Sequence, residues 1–366
     1  MSNNNKPLVS IVSSCYNFEK FIPYFMESVL SQTHENWELI VTDDCSTDKS
    51  FEVLKSYEKK DKRIRIFQND KNRHVCHTLN NSFRSAKGEY ICIISCDDAL
   101  MPEKIAHDID FMEKNKETGV LYGQLLLMDE NSVPRGKYCF EPLQEFNSAR
   151  LLREMFLSGN QCPAPGMFMR RGLVDKIGFF NPLLKMTQDY EYHVRLLFNT
   201  EPAFNSVPLT KYRRMSDNSN LSSYSVQETL NSETNETFFI LNNYSKRIMD
   251  YSLLVKIFPE VAEFGPADNL LVPYYLGRIA LDSNKKHVKA FGIQTLYSFM
   301  MNEHNVHYLE EKTGYLPKDF MDVLSKNRTF CDSIEKENSI KRNVFRRIKT
   351  RLYKIKVYIK ELIITI

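Results

Sequence analysis

Short apolar runs alternate along the first third of the chain with stretches whose apolar residues recur three and four positions apart. Leu8-Val9-Ser10-Ile11-Val12 reads as a buried strand. The stretch after it carries Ile22, Phe25, Met26, Val29 and Leu30 on one helical face. Residues 37–41 predict a second strand and residues 50–59 a second helix. Ile64-Arg65-Ile66-Phe67 predicts a third strand, followed by a helix that reaches Ala86 and is stopped by Gly88. Residues 90–94 predict a fourth strand, which leads through Asp98 to Pro102 at a helix start, where a missing N–H leaves nothing unsatisfied. Strands alternating with helices of this length predict an α/β fold, a mostly parallel sheet with helices on both faces.

Further on the pattern loosens. Residues 120–140 are strand-like around a polar turn at Asp129-Glu130-Asn131-Ser132, and residues 160–166 form a loop stiffened by Pro163 and Pro165. Met167-Phe168-Met169-Arg170 predicts a strand returning to the sheet. Beyond Asp217 the composition turns to Ser and Asn, and residues 226–340 read as several amphipathic helices. The expected organisation is an α/β domain over residues 1–225, a helical region over 226–340 and a basic tail over 341–366. There is no internal repeat.

Composition adds little until its distribution is considered. A hydrophobic share of 42% and a charged share of 26% are those of a soluble globular protein. The net charge of +3 names no partner and does not suggest nucleic-acid binding. The eight cysteines form no CxxC pair or His/Cys ligand spacing, so a reduced, cytoplasmic setting is expected. Met1-Ser2-Asn3-Asn4-Asn5-Lys6 has no apolar core, so no signal peptide is expected. No apolar run approaches the roughly 20 residues a spanning helix needs. The tail is different. Phe345, Ile348, Leu352, Ile355, Ile359, Leu362 and Ile366 keep helical spacing, while Lys341, Arg342, Arg346, Arg347, Lys349, Arg351, Lys354, Lys356 and Lys360 share one sign. That spacing allows a coiled-coil seam or an intramolecular packing helix, but a parallel homodimer would crowd the charges. An interfacial helix on an anionic membrane surface, which attracts each cation by about 1 kcal/mol, fits better.

The chemistry points to three acidic clusters. Asp43-Asp44 follows the second strand, Asp97-Asp98 follows the fourth, and Gln188-Asp189-Tyr190-Glu191 opens a later helical pattern. Ligands of open α/β sheets bind at the carboxyl ends of the strands, which places the first two clusters in one cleft. Carboxylates gathered there repel unless a cation or a hydrogen-bonding ligand lies between them. Each cluster alone could equally be a helix cap or a negative first turn.

Taken in order, Val9-Ser10-Ile11-Val12 with Ser14-Cys15-Tyr16-Asn17, Glu27-Ser28-Val29-Leu30-Ser31-Gln32-Thr33, Trp37-Glu38-Leu39-Ile40-Val41, Asp43-Asp44-Cys45-Ser46-Thr47-Asp48, Gly88-Glu89-Tyr90-Ile91 and Asp97-Asp98 before Pro102-Glu103-Lys104 closely resemble the family 2 inverting glycosyltransferases of GT-A fold. The resemblance covers residues 7–220. It implies a nucleotide-diphosphate sugar donor, usually a uridine one, and a divalent metal, Mg²⁺ or Mn²⁺. By the same resemblance Tyr16 stacks on the nucleobase, Asp44 hydrogen-bonds it and Asn80 lines its pocket. Asp97 faces the ribose, Asp98 the metal, Asp189 is the catalytic base, and Arg213 or Arg214 contacts the diphosphate. The chain departs from the pattern at Ser95, where many members carry the first Asp of Asp-x-Asp, and at Gln188, where Glu is commoner. A usual glycine is missing near His74 and Val75, and Met215 stands where His is frequent.

The implied reaction is displacement at an anomeric carbon by a hydroxyl of a glycan or lipid-linked acceptor, as in surface polysaccharide assembly, by an enzyme docked on the inner face of the cell membrane. Two other readings compete. A sugar nucleotidyltransferase shares the sheet and the metal carboxylates, but usually has a Gly-rich basic loop where this chain has Ser13-Ser14-Cys15-Tyr16-Asn17. A degenerate glycosyltransferase serving as a membrane-bound scaffold is the non-enzymatic reading, and the retained Asp44, Asp98 and Asp189 speak against it.

Overall fold

In the computed structural model, which describes residues 6–138, 142–215 and 227–327, the chain divides into two compact units, Met1–Val272 and Pro273–Ile366. The first unit begins with β1 (Val9–Cys15), α1 (Ile22–Leu30), β2 (Trp37–Asp43), α2 (Ser50–Glu58), β3 (Ile64–Gln68), α3 (His74–Ser85), β4 (Tyr90–Ile93), the short β5 (Ala99–Leu100) and α4 (Lys104–Lys114). It continues through β6 (Thr118–Met128), β7 (Pro134–Tyr138), α5 (Ser148–Ser158), β8 (Phe168–Arg170), α6 (Arg171–Ile177), α7 (Gln188–Leu197), β9 (Glu201–Arg213), α8 (Gln227–Arg247) and α9 (Tyr251–Ile257). The fold is the expected α/β class: one mostly parallel sheet with strand order β3-β2-β1-β4-β8-β6-β9-β5, β7 pairing with β6. β3, β2, β1 and β4 are mutually parallel, and β8 runs antiparallel to β4.

Period-two alternation sends Val9, Ile11, Leu39, Val41, Ile64, Ile66, Tyr90 and Cys92 into one core. Phe25, Met26 and Val29 of α1, Leu54 of α2 and Ile105, Ile109 and Met112 of α4 fill that core from the facing helices. The opposite face is more polar at α3, where the Thr42 and Ser82 hydroxyls lie 2.8 Å apart and Ser82 donates to the Ser13 carbonyl. Cys15, Cys76, Cys92, Cys96 and Cys162 are buried free thiols.

Two features differ from the sequence expectation. The helix before β4 ends at Ser85 with an extended Ala86, so Gly88 is not its cap. Gly88 is needed for a different reason: a Cβ there would lie 2.5 Å from the Ser10 nitrogen and 2.7 Å from the Leu8 carbonyl oxygen. Both are backbone atoms, one in β1 and one in the residue before it, and neither can yield. Gly88→Ala is therefore expected to destabilise the first unit by about 1–3 kcal/mol, read as a lowered urea midpoint. The second difference is β9, a strand over residues that carry Pro202 and Pro208 and gave no strand signal. β9 runs parallel to β6, and its register breaks between Gly123 and Leu125, across the stretch of β9 that contains Pro208.

The second unit contains α10 (Val272–Leu281), α11 (Lys286–Met300), α12 (Glu303–Thr313) and α13 (Pro317–Lys326). Helices α10 and α11 meet at Gly277 and Gly292, where a Cβ on Gly292 would come 2.7 Å from the Gly277 carbonyl oxygen. Among the described residues no helix is long and apolar enough to cross a membrane. The basic tail, residues 341–366, lies outside the described residues.

Candidate active site

β1 feeds β2 and β3 on one side, whereas β4 pairs on its other side. The strand order therefore reverses between β1 and β4, and the crevice beyond their carboxyl ends is where an open α/β sheet binds ligands. Tyr16 leaves β1 at this point and is 41% exposed, an aromatic face open to solvent. Asn17 behind it adopts φ 57° and its side-chain oxygen accepts the Thr47 N–H, coupling the loops after β1 and β2.

Asp43 and Asp44 are both buried but act differently. Asp43 closes a turn by accepting from the Ser46 N–H and hydroxyl, and takes a third bond from Gln68. Asp44 lies beyond the strand end, held by its own N–H on the Cys15 carbonyl. Its Oδ1 accepts Asn69 Nδ2 and the Arg73 N–H, each at 2.7 Å, which ties it to the loop entering α3. That helix starts at His74 with φ 63°. The site of the missing glycine is thus a left-handed residue, the conformation that favours glycine.

Asp97 and Asp98 follow β4. Asp98 is 2% exposed, and its Oδ1 accepts the Arg213 N–H at 2.8 Å. Burial pushes the Asp98 carboxyl well up, and the neighbouring Asp97 charge adds to this; the Arg213 and Arg214 guanidiniums pull the other way. Burial raises Asp97 as well. Arg213 is fully buried, donating to the Asp97 carbonyl at 2.7 Å, the Asp129 carbonyl at 2.7 Å and Ser132 Oγ at 3.0 Å. Its guanidinium also sits 4.4 Å from the Phe21 ring centre. Arg213 thus pins the Asp97-Asp98 turn to the β6–β7 hairpin. Arg214 is half-buried, 5.0 Å over the Tyr212 ring, with its charge felt at Asp98.

Asp189 is linked to its neighbours at two points. The loop of residues 160–166 ends on β4, where the Gly166 N–H donates to the Ile93 carbonyl at 2.8 Å. At its other end Asn160 Nδ2 donates to Asp189 Oδ2 at 3.2 Å. At the second point, the Asp189 charge reaches Cys76 of α3, the helix whose start Asp44 holds. Asp189 stands in the first turn of α7, part-buried, with Oδ1 accepting the Tyr190 N–H. Burial among its neighbours raises its carboxyl to about 6.

Asn80 binds the backbone of Phe180 at both ends of its amide: Nδ2 donates to the carbonyl at 2.8 Å, and Oδ1 accepts the N–H at 3.0 Å. In this arrangement it anchors the loop that leads to α7.

The sequence alone assigns no individual role to Asn160 and leaves His193 unassigned. A carboxylate only accepts, so the Asn160 NH₂ must face Asp189 and its oxygen must face His193 Nδ1, 3.2 Å away. His193 therefore carries its proton on Nδ1, and burial holds its ring neutral by lowering it to about 3. The available signal was the spacing of Asp189 and His193, four apart on one helix face.

Among the described residues no group of three or more His, Cys, Asp or Glu side chains is gathered to hold a metal. A divalent ion bound through one or two carboxylates plus substrate phosphates needs fewer protein ligands than that. Two adjacent acids driven toward protonation by burial, Asp98 also by the Asp97 charge, suit such an ion, since a cation beside them would favour both charged forms.

Residues 10–178 match the glycosyl transferase family 2 model, a span that includes Tyr16, Asp44, Asn80, Asp97 and Asp98 and ends before Asp189. The chain is 27% identical over 292 residues to an uncharacterized glycosyltransferase, MJ1057, of Methanocaldococcus jannaschii, covering 77% of this chain and 95% of that one. It is 32% identical over 139 residues to the putative teichuronic acid biosynthesis glycosyltransferase TuaG of Bacillus subtilis, covering 38% of this chain and 55% of that one. Among solved structures it resembles S. aureus TarS residues 1–349 in complex with UDP-GlcNAc, with a TM-score of 0.51 at 18% identity over 83% of this chain and 90% of that one. That likeness concerns the GT-A fold. Through residues 10–178 the chain belongs to glycosyl transferase family 2.

Proposed function

We propose that this glycosyltransferase transfers a sugar, with inversion, from a nucleotide-diphosphate donor to a hydroxyl of a glycan or lipid-linked acceptor. The observation that carries the reading is the part-buried Asp189 carboxyl in the first turn of α7, tied to Asn160 and raised to about 6. Tyr16 offers an aromatic face for the base, and Asp44 stands beside it at the strand ends. A uridine donor is favoured by the family resemblance, and TarS, of like fold, was crystallised with UDP-GlcNAc. The name of TuaG supports a place in polysaccharide synthesis.

In this mechanism Asp189 takes the acceptor hydroxyl's proton as the oxygen attacks the face of the anomeric carbon opposite the diphosphate. A single base and a single displacement invert the configuration, and a second nucleophilic carboxylate is not required. Asp98, with Asp97 beside it, would hold Mg²⁺ or Mn²⁺, which when bound supplies Lewis-acid stabilisation of the leaving diphosphate. Arg214 adds positive charge on that side, and Arg213 keeps the two acids in place. Asn160, whose oxygen also accepts the Cys162 N–H, steadies the Asp189 carboxylate.

The base works only when ionised. Because its carboxyl is raised to about 6, transfer is expected to fall tenfold per unit as pH drops below about 6. A log kcat profile flat down to pH 4.5 would contradict the assignment. The donor is tested by thermal shift with Mn²⁺ and UDP-, GDP- and dTDP-sugars, since a ligand that binds the native form raises its melting point. Release of UDP that requires both metal and acceptor is the expected activity.

The tail's charge and spacing support peripheral docking on the inner face of the cell membrane. Truncation after Ser339 is expected to abolish co-sedimentation with acidic liposomes, and unchanged sedimentation would refute the docking.

A further inference from the structure

The loop of residues 178–187 delivers α7, and it is fastened at several points. Asn80 of α3 clamps Phe180, and the Cys76 thiol donates to the Leu184 carbonyl at 3.3 Å. The last three residues before α7 are held by one side chain from far along the chain. Glu236 of α8 accepts the Lys185 N–H on Oε1 at 3.0 Å. On Oε2 it accepts the Met186 N–H at 2.9 Å, the Thr187 N–H at 2.8 Å and the Thr187 hydroxyl at 2.9 Å. Three successive N–H groups aimed at one buried carboxylate form an anion-binding nest. Charge-assisted bonds of this kind are about twice as strong as neutral ones. Thr187 is the residue before Gln188 and Asp189, at the N-cap of α7. The carboxylate therefore sets the position and direction from which that helix starts.

We propose that Glu236 is a positioning residue for the general base, fixing the backbone of residues 185–187 so that Asp189 meets the acceptor hydroxyl. The inference rests on the reading of Asp189 as the base. It gives α8 a function in catalysis without contact with substrate. A misplacement of about 1 Å costs about a hundredfold in rate, whereas the hydrogen bonds of Glu236 go to residues 185–187 and not to the elements after β1, β2 and β4.

The test compares Glu236→Ala, Glu236→Gln and Asp189→Asn in the full chain, with Tyr244→Phe as control. Tyr244 lies on the same helix and its hydroxyl donates to the Leu152 carbonyl, so its loss perturbs α8 without touching the loop. Glu236→Gln retains an acceptor and the volume, and keeps the measurement available if Glu236→Ala does not fold. The expected result is a fall in kcat of at least tenfold for Glu236→Gln, with the donor KM within twofold of the parent. Tyr244→Phe should leave kcat within threefold. A kcat loss in Glu236→Gln no larger than in Tyr244→Phe, or a donor KM rising in step with the kcat loss, overturns the inference. If Asp189→Asn abolishes transfer while Glu236→Gln lowers kcat no more than Tyr244→Phe does, the inference alone fails; if Asp189→Asn still transfers, it fails together with the base assignment.

Discussion

Asp189→Asn is expected to reduce transfer by about 10²–10⁴-fold while leaving donor affinity within about twofold and raising the melting temperature at neutral pH. The kinetic part follows from removing the only group assigned to take the acceptor's proton. The stability part follows from linkage. The Asp189 carboxyl is raised to about 6 in the folded protein, above its ordinary value of 3.8, so folding favours its neutral form. Below the ordinary value the group is protonated in both states and contributes no difference. Above about 6 the ionised folded form is disfavoured, by less than the full linkage value because solvent reaches this carboxyl. A neutral amide escapes that cost, so the variant's gain should appear at pH 8 and vanish at pH 4. Activity and donor affinity lost together, with a lowered melting point, would mark Asp189 as structural.

Asp98→Asn is the second large effect. The amide oxygen can still accept the Arg213 N–H, so the change removes charge while keeping the turn. Loss of the ion's charge stabilisation, several kcal/mol, is expected to lower kcat/KM about a thousandfold. The thermal shift produced by Mn²⁺ with a UDP-sugar should disappear, whereas UDP alone should still shift the parent weakly through Tyr16 and Asp44. A variant that keeps its Mn²⁺-dependent shift would move the metal away from Asp98.

Residues 8–115 were legible because their order depends on local periodicity. Each strand buries alternate residues and each helix a stripe, as Ile11, Phe25 and Leu39 do. The clusters after β2 and β4 were legible for the same reason, since a strand's end can be read locally. β9 was not, because Pro202 and Pro208 mask a strand whose register breaks across the stretch that holds Pro208. The burial of Arg213 was also hidden: its partners Asp97, Asp129 and Ser132 come from distant segments, and nothing in Tyr212-Arg213-Arg214 distinguishes the buried cation from the half-exposed one. Glu236 shows the same limit. In the sequence it stands in a polar stretch of a helix, Asn235-Glu236-Thr237, and only the fold brings it to Thr187, 49 residues earlier. Contacts that leave no periodic trace are where the reading of residues alone stops.

The central claim is that Asp44, Asp98 and Asp189 surround one sugar–diphosphate linkage. A crystal structure of the Asp189→Asn protein with Mn²⁺ and an intact UDP-sugar tests it most directly. The ion is expected on Asp98 and the diphosphate, the nucleobase between Tyr16 and Asp44, and the anomeric carbon facing position 189 across a gap that admits one hydroxyl. A donor bound with its sugar directed away from position 189, or an ion held elsewhere, would contradict it.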